Sequence, residues 1–411
     1  MKNQIPVYIL GGYQTDFSRN WARENKHISA MMREAYESSI LKTKITAEDI
    51  QAAFIGNFAA ELYCMQGHLG AFFVEFDPMF KGLPTSRLEG ACASSALAVL
   101  SAMAHIQADI YECICVIGVE QMKTVNPTKG GDFLGTAAWY EKEANGIEFP
   151  FPKLFGKLGD VYSIRYGLDD KHLAKIAAIN YSNAKNNPNA QTRDWFMNYE
   201  HACCVSKYNQ QVSGRIKVTD CSQVTDGAVS LYLASEKFAE KYAKRAGISL
   251  DQIPRILGWG HTTAPIEFQQ KVDDSKANDY VLPWTRKAIT DAFQRAHIKD
   301  CWDLDVIETH DCFTTSEYMA IDHFGLTEPG QSYKAIEEGI IEIDGKLPIN
   351  PSGGLIGCGH PVGATGARQL LDAYKQVTGT AENYQVDGAK KAATLNIGGT
   401  ATTNVCFIIG K

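Results

Sequence analysis

Ile9-Leu10-Gly11-Gly12-Tyr13-Gln14-Thr15, near the start of the chain, is echoed by Ile256-Leu257-Gly258-Trp259-Gly260-His261-Thr262. Each is an apolar run entering a glycine turn, the pattern of a core strand and its exit. The echo continues downstream. Asp49-Ile50-Gln51 precedes the apolar Ala52–Ile55, and Asp303-Leu304-Asp305 precedes Val306-Ile307. Each half then carries a Gly-rich turn leading into a helix, Gly90-Ala91-Cys92-Ala93-Ser94 in one and Gly359-His360-Pro361-Val362-Gly363 in the other. An offset of roughly 250 residues is too long for a solenoid repeat and predicts a duplicated α/β domain.

Within each half, strands and helices alternate, which implies mixed or parallel sheets covered by helices. Cys113–Glu120 (CICVIGVE) reads as a buried strand. Ala96, Leu97, Leu100, Ala104 and Ile106 fall near helical spacing, so a buried helix is expected after Cys92. The stretch 121–250 is more polar and aromatic and reads as an inserted loop domain. In it, Ala174–Ala184 is expected to be helical, ending near Asn187-Pro188, and Thr225-Asp226-Gly227 turns into a strand over Ala228–Ala234. The expected division is therefore 1–250, with the loop domain at about 121–250, and 251–411.

Of the 411 residues, 45% are apolar and 21% charged, an ordinary globular composition large enough for two or three domains. A net charge of −7 argues against nucleic acid as a partner, because phosphate binding needs a basic footprint. No apolar run is long enough to span a bilayer. The eleven cysteines are odd in number, and Met1-Lys2-Asn3 passes into Val7-Tyr8-Ile9-Leu10 without a secretory leader. Reduced thiols and a cytoplasmic location are expected. The final Ile409-Gly410-Lys411 is not a peroxisomal address of the Ser-Lys-Leu type.

Four stretches could carry chemistry. Cys92 sits at an expected helix N-terminus, where the dipole and free N–H groups favour thiolate, the form that attacks carbonyls. The same position suits a small buried residue. His360 lies in Gly357-Cys358-Gly359-His360-Pro361-Val362-Gly363-Ala364-Thr365-Gly366, a held turn that can aim an imidazole, or a purely structural one. His310-Asp311-Cys312-Phe313 follows the strand-like Val306-Ile307-Glu308, where open α/β sheets place ligands. Read structurally, it is a capped turn into a helix over Thr314–His323, with Asp311 or Thr314 as the N-cap. Asn396-Ile397-Gly398-Gly399-Thr400 offers free N–H groups for an oxyanion, or simply a turn between strands. Cys113 and Cys115 read as core, Cys203-Cys204 lacks zinc-type partners, and neither a G-x-S-x-G elbow nor a Walker loop is present.

The order of these loops, with GHPVGATG as the most specific, resembles the thiolase superfamily over essentially the whole chain. Tyr166-Gly167 and Asp226-Gly227-Ala228 agree with it, and His310-Asp311-Cys312-Phe313 points to the SCP2-type branch. The resemblance implies a five-layer αβαβα thiolase fold, built from two related βαβαβαββ halves with an inserted loop domain. It implies Cys92 as acyl-carrying nucleophile and His360 as its base. Asn396 stands where most thiolases have their second cysteine, so Cys312 inherits the acid/base role; Cys358 is an alternative. One oxyanion site is expected from the N–H groups of Cys92 and Gly398, the other from His360 with His310 or a water.

The activity implied by the resemblance is cleavage or formation of the C–C bond of a 3-ketoacyl-CoA, with CoA and acyl-CoA as substrates, no tightly bound cofactor and no metal. A homodimer or homotetramer is implied. The alternatives are an acyltransferase subunit with a non-CoA acceptor that works with small partner subunits, and a non-catalytic scaffold, which would not need Cys92, Cys312 and His360 together.

Overall fold

The computed structural model describes residues 5–411, so the expectation resting on Met1–Asn3 lies outside the described residues. The first half runs β1 (Val7–Gln14), α1 (Ile28–Lys42), β2 (Ala52–Gly56), β3 (Thr85–Leu88), α2 (Ser94–Gln107) and β4 (Cys113–Glu120). An insertion comes next. It contains α3 (Pro150–Tyr166), α4 (Asp170–Ala184) and a small hairpin of β5 (Gln211–Ser213) and β6 (Ile216–Lys217). The chain then returns as β7 (Gly227–Ser235) and α5 (Glu236–Ala246). The second half comprises β8 (Arg255–Thr263), α6 (Phe268–Ser275), α7 (Pro283–Ala296), β9 (Val306–Glu308), α8 (Thr314–Phe324), α9 (Gly354–Cys358), α10 (Thr365–Thr378), β10 (Lys391–Gly398) and β11 (Thr403–Gly410).

The strands form one mixed sheet in the order β3-β2-β4-β7-β1-β8-β11-β10-β9. Its two parts join through a single residue pair, Tyr8 with Arg255. The parts are related. β1, β7, β4 and β2 pair antiparallel, antiparallel and parallel, and so do β8, β11, β10 and β9. The counterpart of β3 is reduced to one parallel bridge, Ile307 with Ile349. The duplication read from the sequence thus appears as repeated strand pairing. β7 and α5 fall inside the 121–250 stretch, but β7 is hydrogen-bonded between β4 and β1 in the sheet.

Period-two burial explains the layers. On β4, Ile114 and Val116 face a core shared with α2 and α10, whereas Cys113, Cys115, Ile117 and Val119 face a second core under α1 and α5. On β11, Val405, Phe407 and Ile409 face the shared core, and Cys406 and Ile408 face a third core under α7 and α8. α2 and α10 are therefore the central layer between the two parts of the sheet, with helices outside. At Gly118 a Cβ would stand 2.7 Å from Ala364 Cα, so β4 admits the start of α10 only without a side chain. That approach brings the N-termini of α2 and α10, which carry Cys92 and His360, to one place.

Candidate active site

Cys92 sits in a one-turn 3-10 helix, Ala91–Ala93, that continues into α2. Ala91 is left-handed at φ 53°, a conformation a non-glycine residue adopts only where its surroundings hold it. Here Ser94 Oγ donates to the Ala91 carbonyl at 2.6 Å and accepts the Gly90 N–H at 3.1 Å. The GHP loop repeats this plan with a 3-10 turn at Val362–Ala364 before α10.

The Cys92 sulfur and ring nitrogens of His310 and His360 all lie within 4.8 Å of one another. The imidazoles meet edge to face with centroids 5.1 Å apart. His360 Nδ1 is 2.7 Å from Thr365 Oγ1, and that hydroxyl donates to the Pro361 carbonyl at 3.2 Å. Nδ1 therefore carries the hydrogen, and Nε2 is left with a lone pair. His310 is the reverse: Asn396 Nδ2 donates to its Nδ1 at 3.1 Å, so its Nε2 is a donor. One ring thus keeps a lone pair on Nε2 and its neighbour an N–H there. The three groups are close enough to hold a metal ion, but a protonated Nε2 on His310 does not suit ligation.

Electrostatics correct one expectation. Burial pushes the Cys92 thiol up to about 12, against the backbone N–H of Gly399, which lowers it, while Glu120 raises it further. The helix N-terminus therefore does not leave a resting thiolate. Burial, aided by the Arg368 guanidinium, drives His360 down to about 3. Burial, His360 and Arg368 likewise carry His310 well below its ordinary value. The resting pair is a neutral thiol beside a neutral imidazole. The backbone N–H groups that favour the thiolate are those of Gly399 and Cys92 itself. Gly398, the expected partner, packs closely on the Gly90 carbonyl, where no Cβ would fit.

Cys312 lines the same cavity as Cys92 and His360, a space of about 580 Å³. Its sulfur is 3.9 Å from Ser316 Oγ, and burial, with the Cys92 sulfur nearby, raises it well above an ordinary thiol. Cys358 points elsewhere. It is buried in the central core, where Gln14 Nε2 and Asn187 Nδ2 lie 3.7 and 3.6 Å from its sulfur, and it does not line the cavity.

Several supporting residues escaped the sequence reading. Asp311 caps neither α8 nor its own turn. Its carboxylate accepts the N–H groups of Leu355 at 2.6 Å and Ile356 at 3.1 Å, at the start of α9, and Asn180 Nδ2 at 2.9 Å. The α8 N-cap position is Phe313, whose N–H reaches Ser316 Oγ at 3.4 Å. Arg368 on α10 is fully buried, 2.9 Å from Glu308 at the end of β9 and 3.2 Å from Asp372. The His310 and His360 loops are thus locked together from below. The only sequence signal was an Arg–Asp pair four apart on an otherwise apolar helix face. From above, the tail of the insertion runs along both loops, with Ser222 N–H on the Cys312 carbonyl at 2.9 Å and His360 N–H on Thr225 Oγ1 at 2.9 Å.

Comparison with known proteins agrees with this geometry. The thiolase N-terminal domain family matches residues 7–195, and the thiolase C-terminal domain-like family matches residues 267–411. An acetyl-CoA acetyltransferase of Methanothermobacter thermautotrophicus is 30% identical over 98% of this chain and 99% of its own length. Human sterol carrier protein 2 is 28% identical over 95% of this chain and 70% of its own. Among solved structures, an Ltp2-ChsH2(DUF35) aldolase superposes with TM-score 0.77 at 17% identity, covering 98% of this chain and 97% of that one. Human mitochondrial 3-ketoacyl-CoA thiolase does so at 0.69 and 16%, covering 99% of each. The chain belongs to the thiolase superfamily and has the thiolase fold. Among the described residues, no helix is long and apolar enough to cross a membrane.

Proposed function

We propose that the chain is a thiolase-type acyltransferase that cleaves or forms the C–C bond of a 3-ketoacyl-CoA through an acyl-Cys92 intermediate. The observation that carries this reading is the clustering of the Cys92 sulfur with His310 and His360 nitrogens within 4.8 Å, with Cys92, His360 and Cys312 lining one cavity.

In the cleavage direction, Cys92 Sγ attacks the 3-keto carbon as its proton passes to His360 Nε2. The N–H groups of Cys92 and Gly399 receive the developing alkoxide. Its collapse breaks the C2–C3 bond, leaving the acyl group on Cys92 and the enolate of acetyl-CoA. The His310 Nε2–H and the now protonated His360 hold the enolate oxygen, and Cys312 supplies the proton to carbon. CoA thiol, losing its proton to Cys312, then attacks the acyl-Cys92 thioester, and His360 returns a proton to the departing sulfur. Burial keeps Cys312 protonated, the form required of an acid.

Phe149, Phe151, Phe155 and Phe313 face the cavity, and Phe155 stacks on Phe313 at 4.7 Å. No lysine or arginine is among the described residues that line it, so CoA phosphates would sit outside while the thioester end enters. CoA and acyl-CoA are substrates in this reading and not tightly bound cofactors. The proposal includes the working division at residue 250, a homodimer or homotetramer, and a cytoplasmic location. The test is CoA-dependent cleavage of acetoacetyl-CoA by the purified chain, with Cys92→Ala as control. Cleavage lost in the variant supports the reading. No cleavage by folded wild type, with acetoacetyl-CoA or longer 3-ketoacyl-CoAs, overturns self-sufficient thiolysis and directs attention to a partner subunit and a non-CoA acceptor.

A further inference from the structure

Lys271, on α6, is buried, and its Nζ meets three oxygens, none of them from a carboxylate. It donates to the Thr400 carbonyl at 2.7 Å, to Thr400 Oγ1 at 2.8 Å and to Thr402 Oγ1 at 2.8 Å. All three N–H bonds of one ammonium are thus spent on the turn between β10 and β11. That turn begins at Gly399, which lines the same cavity as Cys92, and the preceding Gly398 packs against Gly90 and Ala93, on either side of the cysteine loop. It is conformationally costly: Gly399 is left-handed at φ 62°, and Ala401, which has a side chain, is left-handed at φ 57°. A buried lysine is an expensive fastener, since burial favours the neutral amine. Here burial draws Lys271 down to about 7, with Glu143 pulling upward. Glu143 belongs to the neighbouring Tyr140–Ala144 turn and holds the start of α6 by accepting the Phe268 N–H.

We propose that Lys271 is a positioning residue for Cys92: by fastening the Thr400–Thr402 turn, it keeps Gly399 against the Cys92 loop and so sets the reactivity of the nucleophile. The inference rests on the reading of Cys92 as nucleophile. Lys271 touches no reacting atom and acts only through the turn. A turn released from its three anchors relaxes the strained Ala401 and moves Gly399 away from the Cys92 loop, withdrawing a backbone N–H that favours the thiolate.

The test is the rate of alkylation of Cys92 by iodoacetamide at fixed pH, resolved by peptide mass spectrometry, in wild type and Lys271→Met. Cys221, which lines the same cavity away from the turn, serves as internal control. The expected result is a fall of about tenfold at Cys92, the effect of one pKa unit on the thiolate fraction, with Cys221 unchanged. Thiolysis kcat should fall in parallel while KM moves little. An unchanged Cys92 rate in folded Lys271→Met overturns the proposal, whatever the loss of thermal stability. If that variant does not fold, Thr402→Val removes one anchor and keeps the cation; a slower Cys92 supports the proposal and an unchanged one overturns it. Alkylation needs no substrate. A chain inactive on 3-ketoacyl-CoA but with Lys271-dependent Cys92 reactivity would overturn the catalytic reading and leave this one standing.

Discussion

Thr365 Oγ1 stands 2.7 Å from His360 Nδ1 and spends its own hydrogen on the Pro361 carbonyl, so the hydroxyl decides which imidazole nitrogen faces Cys92 with a lone pair. The residue that fixes the base is thus the first residue of the next helix. Thr365→Val keeps the shape and removes the acceptor. Steady-state thiolysis should show kcat lower by about 10- to 100-fold, the worth of a well-poised general base, with KM nearly constant and Thr365→Ser close to wild type. A loss in the Ser variant with the Val variant close to wild type would mean that the methyl group, and not the hydrogen bond, matters.

The two cysteines left open by sequence reading are separated by direction. Cys312 faces the cavity and Cys358 faces the central core. Cys312→Ala should abolish enolate protonation while Cys92 is still acylated, which mass spectrometry of the intact chain after 3-ketoacyl-CoA addition can detect. Cys358→Ala should turn over normally and lower stability by about 1 kcal/mol, as expected for a small buried truncation. Turnover in the first variant and none in the second would reverse the assignment.

Asp311 holds the segment before His360 through two backbone N–H groups and Asn180. Asp311→Ala would strand those donors in the interior at a cost of about 2–3 kcal/mol. Urea unfolding should show this loss, and kcat should fall because α9 leads directly into the GHP loop. A variant as stable as wild type would show that water replaces the carboxylate at no cost.

His360 is held at about 3 by burial and Arg368, below the value near 6.5 of an unfolded histidine. The unfolded state therefore takes up the proton first. Stability from this group is present above about pH 6.5 and lost as pH falls toward 3. Glu120 and Glu308, each raised to about 7 by burial, act in the opposite sense: their contribution is full below about 4.5 and lost as pH rises through 7. The difference in unfolding free energy between wild type and His360→Asn isolates the histidine. It should shrink steadily from pH 6.5 to pH 4.5. A difference constant across that range would mean that His360 is not depressed in the folded state.

The strands, the helix after Cys92, the paired halves and the four loops were legible in sequence because each is local. Apolar periodicity and glycine turns act over a few residues, and period-two burial on β4 or β11 arises directly from them. GHPVGATG and the HDCF loop carried the family. That Cys358 turns into the central core, that Gly399 lines the cavity with Cys92 and which nitrogen of His360 is free were not legible. Those depend on contacts between loops hundreds of residues apart, such as Gly399 with Cys92, or on side chains from distant elements, such as Asp311 with Leu355 and Lys271 with the 400–402 turn. The thiolate expectation failed for the same reason. A helix N-terminus is visible in sequence, whereas the desolvation that outweighs it arises only when both halves close over the sulfur. Local pattern determined the elements and the chemistry available; the packing of α2 against α10 decided how those groups face one another and at what electrostatic cost.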